Sequence, residues 1–322
     1  MAASAVPVKR GGRSKLTNSF YAYGYIAPAM AAMVVASFIP IVFTIFVAFT
    51  NWDTYHPALT QGFHFAGLAN FREILSSLQG EVIGVVLWTV AFAALSMVLN
   101  FFVGLCLAFL LNNPNMPERN LYRTLLILPW AVPGAIMTLA WTGLLNTDYG
   151  PVNVFLGGIH LGFFNPGHVP WLDDPNWARF SVIMVNVWFS FPFMMTACLG
   201  ALQSISPELG EAAQVDGASI WVRFWKITFP LLRSATLPLV ISNFAFNLNN
   251  FGAVYLLTAG GPVTLGHTSG ATDILPTYTY NLAINLNRYG LACAYGIVIF
   301  IFIGSLSLVQ MKYTRAFEGV DA

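Results

Sequence analysis

Six stretches of the 322-residue chain run for about twenty residues or more without an Asp, Glu, Lys or Arg: 25–50, 82–111, 124–145, 180–202, 235–257 and 291–311. The hydrocarbon core of a bilayer, about 30 Å thick, is crossed by about 20 apolar residues in a helix. Only helices and closed barrels satisfy every backbone group in lipid. Barrel strands alternate apolar and polar over about 10 residues, and these runs are longer and continuous. The chain is 57% hydrophobic and 8% charged, against about 25% charged in a soluble domain. The fold class expected is all-α, a polytopic membrane protein with six transmembrane helices.

Lys9, Arg10, Arg13 and Lys15 precede the first run. A signal peptide has the same polarity, but its apolar region is only about 7–15 residues long. An uncleaved anchor behind a basic cytoplasmic tail fits better. Lys and Arg then set orientation, because they accumulate on the cytoplasmic side. With the N-terminus inside, the inner segments hold those four with Arg119, Arg123, Arg223, Lys226, Arg233, Lys312 and Arg315. The outer ones hold only Arg72, Arg179 and Arg288, three against eleven of the fourteen. Both termini and the segment between the fourth and fifth runs are expected in the cytoplasm. The outer segments are aromatic-rich, and one reads WLDDPNW (171–177). Their rings suit either an interfacial belt or a docking face for an extracytoplasmic partner.

Several chemistries find no support. No phosphate-binding G-x-x-x-x-G-K-[ST] occurs, GGRSKLT (11–17) having the wrong spacing, and neither HExxH nor G-x-S-x-G is present. Cys106, Cys198 and Cys293 sit singly in apolar runs, as small packing residues do. His56, His64, His160, His168 and His267 fall in outer loops without ligand spacing, so no metal site and no catalytic residue is expected. Intramembrane acids and bases mark proton relays and pumps. With none in these runs, energy for uphill movement of a solute would arrive from another subunit.

Two runs carry uncharged polar groups at helical spacing. In the fourth, Asn186, Phe189, Ser190 and Phe193 stand at i, i+3, i+4 and i+7. In the fifth, Asn243, Asn247 and Asn250 stand at i, i+4 and i+7, with Phe246 and Phe251 among them. Amides both donate and accept hydrogen bonds, and rings offer apolar platforms. Such faces suit a neutral, hydroxyl-rich solute such as a sugar. Asn and Ser also join helices to one another by hydrogen bonds, and spacing alone leaves both uses open.

The most polar internal stretch is EAAQVDGASIWVRFWKITFP (211–230). Ser206-Pro207-Glu208 is a helix start, with a cap, a proline at the first position and an acid in the first turn. Asp216-Gly217 is a turn. A second short helix from near Ser219 would place Trp221, Phe224 and Trp225 on one face, and Pro230 predicts a break or kink. The whole reads as a helix–turn–helix on the membrane surface, with Ala212, Ala213 and Gly217 small enough for close docking and Glu211 offering a charge.

The order E-A-A-x-x-x-G followed by I-x-x-P, here Glu211-Ala212-Ala213, Gly217, Ile227 and Pro230, resembles the cytoplasmic motif of binding-protein-dependent ABC importer permeases. Phe229 stands where that family usually has Leu. NLYRTLLILPWAVPGAI (120–136), FPFMM (191–195), FAFNLNNF (244–251), LLTAGGP (256–262) and TDILPTYTYNLA (272–283) narrow the resemblance to MalF-type maltose and maltodextrin permeases over roughly residues 80–315. Some of those proteins carry two further N-terminal spans and a large outside domain, for which no counterpart is seen.

The resemblance implies a coupling helix docked on an ATPase through Glu211, Ala212, Ala213, Asp216 and Gly217. It implies a sugar site lined by Asn186, Phe189, Ser190, Phe193, Asn243, Phe246 and Asn247. At three of these, Ser190, Phe193 and Asn243 replace an expected Gly, Tyr and Ser. The implied partners are a second, MalG-like permease, an ATP-binding cassette ATPase dimer, an extracytoplasmic solute-binding protein, the sugar and membrane lipid. No nucleic acid is implied. ATP and Mg belong to the ATPase, and no cofactor to this chain. The implied location is a bacterial cytoplasmic (inner) membrane. The expected divisions are a basic tail (1–24), a first helix with its outer loop (25–81), a core (82–315) with the coupling loop at 205–230, and a C-terminal tail (316–322). Alternatives are a permease for another neutral oligosaccharide or polyol, and, more remotely, a secondary sugar transporter.

Overall fold

The computed structural model describes residues 15–54, 64–78, 80–158, 168–263 and 266–313. His56, His160, Lys9, Arg10, Arg13, Arg315 and the last nine residues fall outside them.

The first long helix is α1 (Lys15–Met33), a π-helical turn (Val34–Phe38) and α2 (Ile39–Ala48) in succession. The short α3 (Ala69–Ser77) leads to α4 (Glu81–Leu111), which is charge-free after its first residue. The helices α5 (Arg119–Ala131) and α6 (Gly134–Leu144) follow, then the short α7 (Pro151–Gly157) and the long α8 (Pro175–Gln203). Asp174 starts α8 by accepting from the backbone N–H groups of Asn176 and Trp177. Beyond a tight loop come α9 (Pro207–Val215), α10 (Ile220–Arg223), a second π-helical turn (Phe224–Thr228) and α11 (Phe229–Leu248). The last described helices are α12 (Phe251–Thr258), α13 (Leu275–Ile284) and α14 (Tyr289–Tyr313).

Among the described residues five helices are long and apolar enough to cross a membrane unbroken, and the bent pair α5/α6, taken as one span, makes a sixth. That third span is not the continuous helix expected over 124–145. It bends by 92° between Ala131 and Gly134. Val132 is extended (φ −88°, ψ 140°), the backbone that a following proline favours, and Pro133 itself has ψ 124°. The fifth span also departs from expectation. It begins well before residue 235 and breaks at Asn249–Asn250, between α11 and α12. The predicted kink at Pro230 is absorbed by the π-helical turn, in which the Phe229 N–H reaches the Phe224 carbonyl. The first π-helical turn also ends one residue short of a proline, Pro40. In both places the wider turn accommodates the missing N–H and the ring of the proline. The second half of the surface helix–turn–helix is therefore no separate helix. It is the extension of the fifth span.

The bundle is organised on α4 crossing α8. At Gly104 an added Cβ would stand 2.7 Å from the Met195 nitrogen and 2.9 Å from the Met194 carbonyl carbon. Only glycine permits that approach. Around it Leu105, Ala108, Leu111, Met194, Met195, Cys198 and Leu232 form a buried cluster. A second cluster, with Val82, Val85, Tyr278, Leu282, Leu291 and Tyr295, joins α4 to α13 and α14. In WLDDPNW, Trp171 serves neither as belt nor as docking face. It is buried, stacks edge-on against Trp177 and donates its indole N–H to Asn153 Oδ1 at 2.8 Å.

Candidate functional site

The two polar faces meet. Helices α8 and α11, with Trp130 from the end of α5, enclose a cavity of about 330 Å³ lined by Trp130, Phe189, Ser190, Phe193, Leu239, Ser242, Asn243 and Phe246. Ligand pockets begin at about this size. Of the seven residues proposed from sequence, Phe189, Ser190, Phe193, Asn243 and Phe246 are in the wall. None of the lining residues is ionisable. Trp130 lies 6.2 Å from Phe193, ring to ring. The bend between α5 and α6 helps build this wall: it sets Gly134 so close to Phe189 that a Cβ would stand 3.2 Å from the ring. Trp130 carried no periodic signal. Its only mark in the sequence was a position between Pro129 and Pro133.

Asn186 and Asn247 lie behind the wall, 1% and 0% exposed. They belong to a chain of five amides. Asn250 Nδ2 donates to Asn186 Oδ1 at 2.8 Å, and Asn186 Nδ2 donates to Asn247 Oδ1 at 2.8 Å. Asn247 Nδ2 donates to the Asn243 backbone carbonyl at 2.8 Å and to Asn243 Oδ1 at 3.0 Å. Asn100, from the middle of α4, donates to Asn243 Oδ1 at 3.3 Å. The break after Leu248 lets Asn250 join this chain, since Asn250 is the residue before α12. The helix-joining and site-lining uses of asparagine thus coexist here: Asn186 and Asn247 join helices, and Asn243 does both.

The other proposed residues form a compact unit at one end of the bundle. Ser206 occupies the N-cap position of α9 without a side-chain cap bond. The helix closes with two overlapping turns: Gly217 N–H bonds to Gln214 O at 3.0 Å, and Ala218 N–H to Ala213 O at 2.9 Å. This termination needs a left-handed residue, and Gly217 supplies it at φ +78°. Glu211, Ala212, Asp216 and Gly217 are exposed and Ala213 half-buried. Val215, Ile220 and Trp221 stand 88%, 75% and 73% exposed. Ser219 caps α10 by accepting from the Val222 N–H. Arg223 ties the two arms together, donating to Gly210 O and Gln214 Oε1, both at 3.3 Å. The arms continue into the cavity helices, α9 following α8 and α10 leading into α11. From Ser190 to the end of α8 the helix rise gives about 20 Å.

At the opposite end, residues 266–273 are tied to the bundle. The Glu81 carboxylate accepts from the Ser269 N–H and from Thr268 Oγ1. Asp273, 2% exposed, accepts from Gly270 N–H at 2.9 Å and Thr277 Oγ1 at 2.7 Å. Among the described residues no three His, Cys, Asp or Glu side chains are grouped to hold a metal.

Residues 100–316 match the family model "binding-protein-dependent transport system inner membrane component". This chain belongs to that family.

The permease is 35% identical over 300 residues to the galactooligosaccharides transport system permease protein GanP of Bacillus subtilis, covering 92% of this chain and 71% of that one. It is 33% identical over 327 residues to the maltodextrin transport system permease protein MalC of Streptococcus pneumoniae, covering 99% and 75%. Against the maltose/maltodextrin transport system permease protein MalF of Salmonella typhimurium it is 41% identical over 257 residues, covering 77% of this chain and 49% of that one. In fold it is similar to a chain of a bacterial ABC transporter involved in the import of the acidic polysaccharide alginate, with TM-score 0.75, 24% identity, and 94% and 98% coverage. The permease is a non-catalytic membrane subunit of an ABC importer, and the secondary-transporter alternative falls away.

Proposed function

We propose that this permease forms half of a pathway for a neutral malto-oligosaccharide and transmits to it the movements of a partner ATPase. The cavity carries the proposal. It offers four aromatic rings with hydroxyl and amide groups and no ionisable side chain, a lining suited to stacking against a sugar and hydrogen-bonding its hydroxyls. An anionic sugar would call for a cation in this wall. The relatives named for maltodextrin and maltose support the glucose-based reading.

The remaining assignments follow from family membership. A second, MalG-like permease would supply the other half of the cavity, where Phe193 and Phe246 stand 39% and 62% exposed. An ATPase dimer carrying ATP and Mg would grip Glu211, Ala212, Ala213, Asp216 and Gly217. A solute-binding protein would deliver the sugar at the opposite end, and lipid would cover the apolar flanks. Closure of the ATPase dimer on ATP would move α9 and the start of α10. Because α9 follows α8 and α10 continues into α11, the displacement would reach both walls of the cavity and turn it outward, and hydrolysis would reset it. Both termini and α9 face the cytoplasm in this arrangement.

GanP, at 35% identity over 92% of the chain, favours a second reading in which the cargo is a galacto-oligosaccharide. ATPase activity of the full complex in proteoliposomes, with binding protein and either maltotriose or a galactotriose, separates them. Stimulation by maltotriose is expected. Stimulation by the galactotriose alone would transfer the assignment, and stimulation by neither would remove the sugar reading.

A further inference from the structure

The polarity of the five-asparagine chain is fixed by one atom that cannot turn over. The backbone carbonyl of Asn243 accepts from Asn247 at 2.8 Å. The atom of Asn247 at that carbonyl must therefore be its nitrogen, because a backbone carbonyl only accepts. The same nitrogen lies 3.0 Å from the Asn243 side chain, so the Asn243 atom facing it must be the oxygen. Asn247 then turns its own oxygen to Asn186 and Asn186 turns its oxygen to Asn250, each bond 2.8 Å long. Every amide orientation follows from the first.

Asn100 completes this arrangement from a different helix. It is 0% exposed and gives its Nδ2 to the Asn243 oxygen at 3.3 Å. Both lone pairs of that oxygen are then occupied, by Asn247 and by Asn100. Asn100 makes this bond although its own oxygen is buried without a hydrogen-bond partner among the described residues. Turned over, it would set oxygen against oxygen. The Asn243 side chain has only its nitrogen left to offer, and Asn243 is in the cavity wall.

We infer that Asn100 is a positioning residue for the cavity, holding Asn243 so that it presents N–H donors to a ligand oxygen and no acceptor. This rests on the sugar-cavity assignment above and deepens it: at Asn243 the cargo must bring a lone pair, from a hydroxyl, ring or bridging oxygen. Asn100 touches no ligand and works through Asn243. A lone Asn in the middle of an apolar span has no periodic partner in the sequence. Its role emerges only from the crossing of α4 and α11.

The test uses the full transporter in proteoliposomes, with binding protein and a range of concentrations of maltotriose or of its singly deoxy and deoxyfluoro derivatives. A C–F group accepts a hydrogen bond weakly and cannot donate, and a deoxy position does neither. At the position meeting Asn243, wild type is expected to favour hydroxyl over fluoro and fluoro over deoxy. Asn100→Leu should raise the half-saturating concentration for maltotriose about three- to tenfold, the worth of one hydrogen bond. It should lower the maximal rate less, and narrow the fluoro–deoxy gap. Asn243→Leu separates the two levels. If it leaves uptake unchanged, the cavity assignment fails. If it impairs uptake while Asn100→Leu matches wild type in affinity and in the fluoro–deoxy gap, only the positioning role fails. Should Asn100→Leu not assemble, Asn243→Asp exchanges the cavity-facing nitrogen for oxygen at constant size. Loss of the fluoro preference in that variant supports the donor assignment, and its persistence overturns it.

Discussion

Gly217 and Gly104 are required for opposite reasons, and substitutions separate them. At Gly217 nothing lies within 4 Å of an added Cβ, so only the backbone objects, at φ +78°. A non-glycine residue pays roughly 1–2 kcal/mol there, while Asn tolerates this region better than Ala or Val. Sugar-stimulated ATPase activity should therefore fall in the order Gly217, Asn, Ala, Val, with all variants inserted in the membrane. A flat series would show that the closing turn of α9 is not what the ATPase reads. At Gly104 the φ angle is ordinary and space is lacking. Gly104→Ala must push α4 from α8 and should destabilise by about 1–3 kcal/mol. Thermal unfolding in detergent would show this, with Gly84→Ala, where nothing lies within 4 Å, as the unaffected control. Gly217 stood out in the sequence because it ends a spaced motif. Gly104 did not, since an isolated glycine in an apolar run looks the same whether it faces lipid or a crossing helix.

Two elements carry constraints that their composition hides. Residues 124–145 of the span α5/α6 are free of charge, as the other apolar runs are, so composition cannot distinguish a straight helix from one bent by 92°. Pro133 holds Val132 extended. Pro133→Ala lifts that restraint, and a helix drawn straight through the break would carry Trp130 away from Phe193. Spin labels at residues 121 and 139 should then report a longer, broader distance, approaching the roughly 27 Å of a straight helix, with loss of uptake. An unchanged distance would place the cause of the bend in packing. The segment 266–273 is held by Asp273, whose carboxyl is raised above its usual value chiefly by burial, against hydrogen bonds from Thr277, Gly270 and Asn281. The folded state then holds this proton more tightly than the unfolded chain does. Stability falls as pH rises from about 4 through the raised value. Relative to Asp273→Asn, which cannot ionise, the wild-type protein should melt progressively lower across that window. A constant difference in melting temperature would contradict the assignment.

For the molecule as a whole, the spans were legible because lipid imposes a composition, and five cavity residues because i, i+3, i+4 and i+7 define a helix face. The placement of Asn186 and Asn247 behind the wall was not legible, since a face wide enough for the cavity is also wide enough to reach the neighbouring helix. Trp130 and Asn100 come from other spans and had no spacing to betray them. Orientation depends on a property of the entire chain, the eleven Lys and Arg assigned to one side against three on the other. The structure turns that count into two well-separated probes: Val215 in α9 is 88% exposed and Val154 in α7 is 68% exposed, and an even or odd number of spans between them decides their sides. Among the described residues α8 is the one span between α7 and α9, and a crossing by α8 puts the two in opposite compartments. After replacement of Cys106, Cys198 and Cys293, a cysteine at residue 215 should react with a membrane-impermeant maleimide only in inside-out vesicles, and one at residue 154 only in intact spheroplasts. The reverse pattern would invert the molecule and put the proposed ATPase contact on the wrong side. Labelling of both from one side would mean that α8 does not span, and that the cavity between α8 and α11 cannot lie on a route across the membrane.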